Sequence, residues 1–131
     1  MELRIIIAGS RDFYDYQLLK TSMKSVLRQT YFPQISKIEI VSGTARGADQ
    51  LGEKFAKEFN LEVKRFPAAW DLYGKRAGRI RNEEMAKYAI SDGAYGLLVA
   101  FWDGESRGTK SMIDLAREHG LAVRVVKYKD I

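Results

Sequence analysis

The 131-residue sequence contains no cysteine and a single histidine, His119. The first absence excludes a disulfide scaffold, a thiolate metal site and a cysteine nucleophile. The second excludes a two-histidine metal site, and it leaves a Ser-His-Asp triad dependent on His119 alone. No apolar run approaches the roughly 18 residues of a membrane span. The stretch MELRIIIAG carries Glu2 and too short an apolar segment for a signal peptide, so a cytoplasmic location is expected. Several motifs are also missing. There is no G-x-G-x-x-G and no G-x-S-x-G elbow. Gly104–Ser111 resembles a Walker A loop but has one residue too few between its glycines, and Thr109 stands where lysine belongs.

What remains is ordinary for a folded protein: 46% hydrophobic and 30% charged residues. The length corresponds to one domain, 1–131, which buries about two-thirds of its unfolded-chain surface. Lysine and arginine number 22 against 17 acids, a net charge of +5. That balance suits an anionic partner: a nucleotide, a nucleic acid or an acidic surface.

The periodicity alternates between strand and helix. Strands are predicted over 3–8, 37–42, 62–66, 95–102 and 121–128, and helices over 16–28, 45–59, 76–89 and 109–118. Strict alternation implies an α/β fold: a five-stranded parallel sheet with helices on both faces, a Rossmann-like three-layer α/β/α arrangement. The first and fourth strands are the most apolar and belong at the centre. The third and fifth carry Lys64, Arg65 and Arg124 and belong at the edges, giving the order 3-2-1-4-5. The stretch 67–75, with Trp70 and Tyr73, reads as a long irregular loop. His119-Gly120 reads as a helix C-terminal cap.

In open α/β sheets ligands bind beyond the carboxyl ends of the strands, at the switch point between strands 1 and 4. Three loops at that end combine glycine, a hydroxyl side chain and arginine. After strand 1 come Gly9, Ser10 and Arg11. After strand 2 come Ser42, Gly43, Thr44, Arg46, Gly47 and Asp49. After strand 4 come Asp103, Gly104, Ser106, Arg107, Gly108 and Thr109. Glycine lets a backbone N–H approach an anion, a helix start adds a positive dipole end, and arginine grips phosphate bidentately. The start of the third helix adds Arg81 as a phosphate contact and Asn82 as a polar one. The alternative for each loop is a set of turn residues at a helix start.

These residues carry a resemblance. The chain is similar to the SLOG superfamily, which is LOG- and DprA-related, and in particular to its YspA-like, cpYpsA-related branch of bacterial and phage proteins. The matching stretches are 9–13, 42–49 with the following helix, 67–70, Ala77-Gly78 with Arg81-Asn82-x-x-Met85, and 101–109. The resemblance implies a Rossmann-like domain that binds or senses a nucleotide or nucleotide-derived ligand, with no certain cofactor and no metal. It also implies a homodimer. The LOG phosphoribohydrolases of the same superfamily cleave the N-glycosidic bond of nucleoside monophosphates, using Arg-Lys-x-x-Met and Pro-Gly-Gly-x-Gly-Thr-x-x-Glu. Here Asn82 replaces the lysine, and Met112 occupies the position of the glutamate. A hydrolase would need another carboxylate, with Asp103 first and Asp49 second in line. The alternative to function at Asp103 is an Asx turn into Gly104. A third reading, nucleic-acid binding, draws on the net charge and on Tyr14, Tyr16, Trp70 and Tyr73 near the basic loops.

Overall fold

The computed structural model describes residues 1–30 and 34–129. The strands are β1 (Glu2–Gly9), β2 (Lys37–Ser42), β3 (Glu62–Arg65), β4 (Tyr95–Trp102) and β5 (Ala122–Lys127). The helices are α1 (Tyr16–Gln29), α2 (Ala48–Glu58), α3 (Trp70–Tyr73), α4 (Ala77–Ala89) and α5 (Arg107–Glu118). All four strand pairings are parallel, in the order β3-β2-β1-β4-β5, as the apolarity of the strands predicts.

β1 and β4 are buried on both faces, which is why their sequences are nearly continuous apolar runs. Alternation sends Leu3, Ile5, Ile7, Leu97, Val99 and Phe101 to one side, against Leu19 and Met23 of α1 and Phe55 of α2. Ile6, Ala8, Leu98 and Ala100 face the other side, against Met85 of α4 and Met112 and Ile113 of α5. Two helices thus cover each face. The one buried charged residue in this central pair, Arg4, is satisfied. Its Nη1 donates to the Tyr88 carbonyl at 2.6 Å and to Ser91 Oγ at 2.7 Å, and its guanidinium lies over the Tyr88 ring. This ties the end of α4 to β1, at the sheet end opposite the strand C-termini.

Two boundaries differ from the periodicity by more than one residue. α2 begins at Ala48, not 45, because Gly47 at φ +82° is outside helical space. The amide of Ala45 is taken instead by the Asp49 carboxylate at 3.1 Å. α5 begins two residues early, at Arg107, because Ser106 caps it: Ser106 Oγ accepts from the Thr109 amide at 3.4 Å. The stretch read as an irregular loop contains the single turn α3 and a 3-10 turn at Gly74–Arg76. His119 does cap α5, its amide donating to the Leu115 carbonyl, and Gly120 follows at φ +81°.

Candidate functional site

The carboxyl ends of β1, β2 and β4 open into two adjoining cavities, of about 610 and 460 Å³, at the switch point of the sheet. They share Arg11, Ala45, Arg46, Trp70 and Arg81 as common walls.

The β1 loop enters the larger cavity with Gly9, Ser10, Arg11 and Asp12. Ser10 is buried: its amide donates to the Phe101 carbonyl at 3.0 Å, and its Oγ accepts from the Asp103 amide at 3.3 Å. These bonds lock the β1 and β4 loops together. Gly9 is needed for packing, since a Cβ there would stand 2.2 Å from the Phe101 carbonyl oxygen.

The β2 loop is sculpted by its own hydrogen bonds. Ser42 Oγ donates to Glu53 at 2.6 Å and accepts from the Thr44 amide at 3.1 Å. Thr44 is held at φ +66°, an uncommon conformation for a β-branched residue. Gly43 and Thr44 line the smaller cavity and Asp49 the larger. Asp49 is buried at the start of α2. Burial pushes its carboxyl up to about 6, against the pull of the Ala45 amide and of Arg81.

Arg81 comes from α4. Its Nη1 donates to the Gly43 carbonyl at 2.5 Å and its Nε to Asn82 Oδ1 at 3.0 Å. A Cβ on Gly43 would lie 2.8 Å from both Arg81 Nη1 and Asp49 Oδ2, so the missing side chain makes room for this charge pair. Burial lowers Arg81 and Asp49 offsets that effect. Asn82 is buried and its Nδ2 reaches the Gly108 carbonyl at 3.5 Å, joining α4 to the start of α5.

The β4 loop brings Asp103, Ser106, Arg107, Gly108 and Thr109 to the larger cavity. Asp103 Oδ1 accepts from the amides of Glu105 and Ser106, each at 2.8 Å, and these bonds hold its carboxyl below the usual carboxylate range. Its carboxylate therefore builds the turn, in the Asx geometry. The amides of Arg107 and Gly108 have no acceptor within the helix they begin. Gly108 has nothing within 4 Å of where a Cβ would be.

Of the residues expected from sequence, Ser42, Gly47 and Gly104 line neither cavity. Ser42 and Gly47 shape the loop beneath, and Gly104 turns the chain at φ +88°. Trp70 is the one aromatic of the four proposed that reaches the cleft. Tyr16 donates to Glu58 at 3.0 Å, while Tyr14 and Tyr73 are exposed and line neither cavity. Met112, at the position of the LOG glutamate, is buried and forms part of the floor with Met85.

Four further polar residues, not expected from sequence, line the larger cavity: Asp12, Lys75, Arg79 and Ser111. Arg79 was legible only as part of a basic helix face. Ser111 lies one turn beyond Arg107 on α5, a spacing that places it on the same side. Six cations thus line the larger cavity, against Asp12, Asp49 and Asp103. Asp12 is already engaged by Tyr128 and Lys129, Asp103 by its turn, and Asp49 lies beside Arg81. The side chains of Arg11, Arg46, Lys75, Arg79 and Arg107 donate no hydrogen bond and form no ion pair among the described residues.

Residues 3–73 match the YspA, cpYpsA-related SLOG family. The chain belongs to that family. The match covers β1 through α3, including the β1 and β2 loops of the cleft. A relative spans more of the chain: the Gene 61 protein of Mycobacterium phage D29 is 29% identical over 125 residues, covering 92% of this SLOG protein and 93% of the relative. Among the described residues, no helix of this SLOG protein is long and apolar enough to cross a membrane.

Proposed function

We propose that this SLOG protein binds a nucleotide or nucleotide-derived ligand at the carboxyl ends of β1, β2 and β4. The observation that carries the reading is the set of five unpaired cations around a switch-point cleft whose three carboxylates are already engaged. A ligand phosphate there meets the free amides at the start of α5, its positive dipole end, and the guanidinium of Arg107. Membership of the SLOG family supports a nucleotide-related role. The test is calorimetry with nucleoside 5′-monophosphates on wild type and on Arg107→Ala. Loss of a charged hydrogen bond weakens binding by about 1.5–3 kcal/mol. Unchanged affinity in a folded Arg107→Ala protein removes the phosphate from the start of α5. The salt dependence distinguishes this reading from nucleic-acid binding: a mononucleotide site responds weakly, whereas a polyanion is lost steeply as salt rises.

One observation favours a second reading, hydrolysis of an N-glycosidic bond. Asp49 lines the cleft with a carboxyl raised to about 6, near the range suited to proton transfer. Asp103 is the weaker candidate, since two amides hold its carboxylate in the turn. Release of free base from a nucleoside monophosphate, abolished in Asp49→Asn, is the outcome that establishes the hydrolase.

A further inference from the structure

The two cavities differ in their own walls. Apart from the shared residues, the larger is lined by charges of both signs, whereas the smaller adds Gly43, Thr44, Pro67 and Ala68, all uncharged and small. Trp70 stands at their boundary. Its indole packs over Gly78, where a Cβ would meet Trp70 Cη2 at 3.5 Å, yet the residue is still 47% exposed. The flat guanidinium groups of Arg11 and Arg46 border the same cavity. An indole and guanidinium planes are surfaces on which a heteroaromatic ring stacks, and neither requires a particular base. Thr44, strained at φ +66°, donates no side-chain hydrogen bond among the described residues. Left-handed β-branched residues cost free energy and cluster at ligand sites. The volume of about 460 Å³ falls within the range that encloses small ligands.

We propose that the smaller cavity is the base subsite: the planar ring of a nucleotide lies against Trp70 between the Gly43-Thr44 and Pro67-Ala68 segments, while its phosphate occupies the larger cavity. This rests on the nucleotide reading above and adds where the base is read. The ligand then spans the cleft with Arg81 beneath the sugar, because Arg81 borders both cavities. Thr44 Oγ1 becomes the determinant of base preference, Trp70 the stacking platform, and Ala68 sets the width of the slot.

The test compares the four ribonucleoside 5′-monophosphates with ribose 5-phosphate, by calorimetry on the full chain. In wild type, at least one monophosphate binds tenfold or more tightly than ribose 5-phosphate. Ala68→Leu narrows the slot and Trp70→Ala removes the platform. Each weakens that monophosphate by about 5- to 150-fold, the range of base–aromatic stacking, and shifts ribose 5-phosphate by less than twofold. Trp70→Phe restores most of the loss, which a merely structural role at this exposed position does not explain. The base subsite is overturned if wild type binds ribose 5-phosphate as tightly as every monophosphate. It is equally overturned if folded Ala68→Leu changes neither ligand or weakens both alike. In those cases the nucleotide reading survives. If wild type binds none of the five compounds, both readings fall.

Discussion

Replacing Asp49 with asparagine probes the charge at the heart of the β2 loop. The folded protein raises this carboxyl from its ordinary 3.8 to about 6, chiefly through burial. The ionised form is therefore less stable in the fold than in the unfolded chain, by about 3 kcal/mol for a displacement of roughly two pKa units. Below about pH 4 both states hold the proton and Asp49 costs nothing. Between about pH 4 and 6 the unfolded chain releases it first, and stability falls. Above about pH 7 the full cost is present. Asparagine keeps an oxygen to accept from the Ala45 amide and carries no charge to desolvate. Urea unfolding of both proteins at pH 4, 6 and 8 gives the difference at each pH. The variant gains on wild type as pH rises, approaching about 3 kcal/mol at pH 8. A difference that stays flat with pH refutes the burial argument. A wild type that gains on the variant as pH rises does so more strongly, since it makes the Arg81 interaction the larger of the two.

Gly47→Ala places a Cβ at φ +82°, 2.5 Å from the Ser10 carbonyl oxygen and 2.6 Å from that of Arg11. It is expected to lose about 2 kcal/mol or more in denaturant unfolding. Gly108→Val meets open space, so circular dichroism should find the fold intact while calorimetry finds nucleotide binding lost; full binding removes the phosphate from these amides. Incubation of wild type with nucleoside monophosphates is expected to release no free base by chromatography, and release scaling with protein promotes the hydrolase. The exposed Leu72 and Tyr73 on α3 are apolar surface that a homodimer would cover. Light scattering at micromolar concentration is expected to give a dimer mass, and a monomer mass rejects it.

Much of the architecture is legible from side-chain chemistry. Parallel strands buried on both faces must be apolar throughout, so Leu3–Ala8 and Tyr95–Trp102 declare themselves central, and Lys64, Arg65 and Arg124 mark the edges. The loops of the cleft are legible because strand order fixes where the carboxyl ends converge. Local geometry is harder to read. Nothing in the spacing shows that Asp49 turns back to capture the Ala45 amide and so delays α2 to Ala48. The glycines look alike in sequence yet differ in role. Gly9 lets β1 approach β4, Gly43 leaves room for Arg81 and Asp49, and Gly108 stands in open space. The two carboxylates are separated by environment. Asp103 is spent on a turn and Asp49 is buried, a distinction that depends on tertiary contacts absent from any motif.

The parallel pairing of β1 with β4 sets the order in which the molecule is completed. Leu3 lies opposite Tyr95, so the middle of the sheet closes only after most of the chain exists. During synthesis the β1-β2-β3 half emerges first, with one long edge of β1 bare and Ile5 and Ile7 covered on one side by α1 and α2. Such an edge is a template for mispairing until β4 arrives, and non-local parallel pairing is slow. The cleft shares this timing. Ser10 comes from the early half and Asp103, Arg107 and the start of α5 from the late half, joined through the Ser10 hydroxyl. A ligand held across that seam meets only finished molecules. A ligand bound there would draw the folding equilibrium toward the closed sheet by mass action, guarding the protein at the seam where assembly ends.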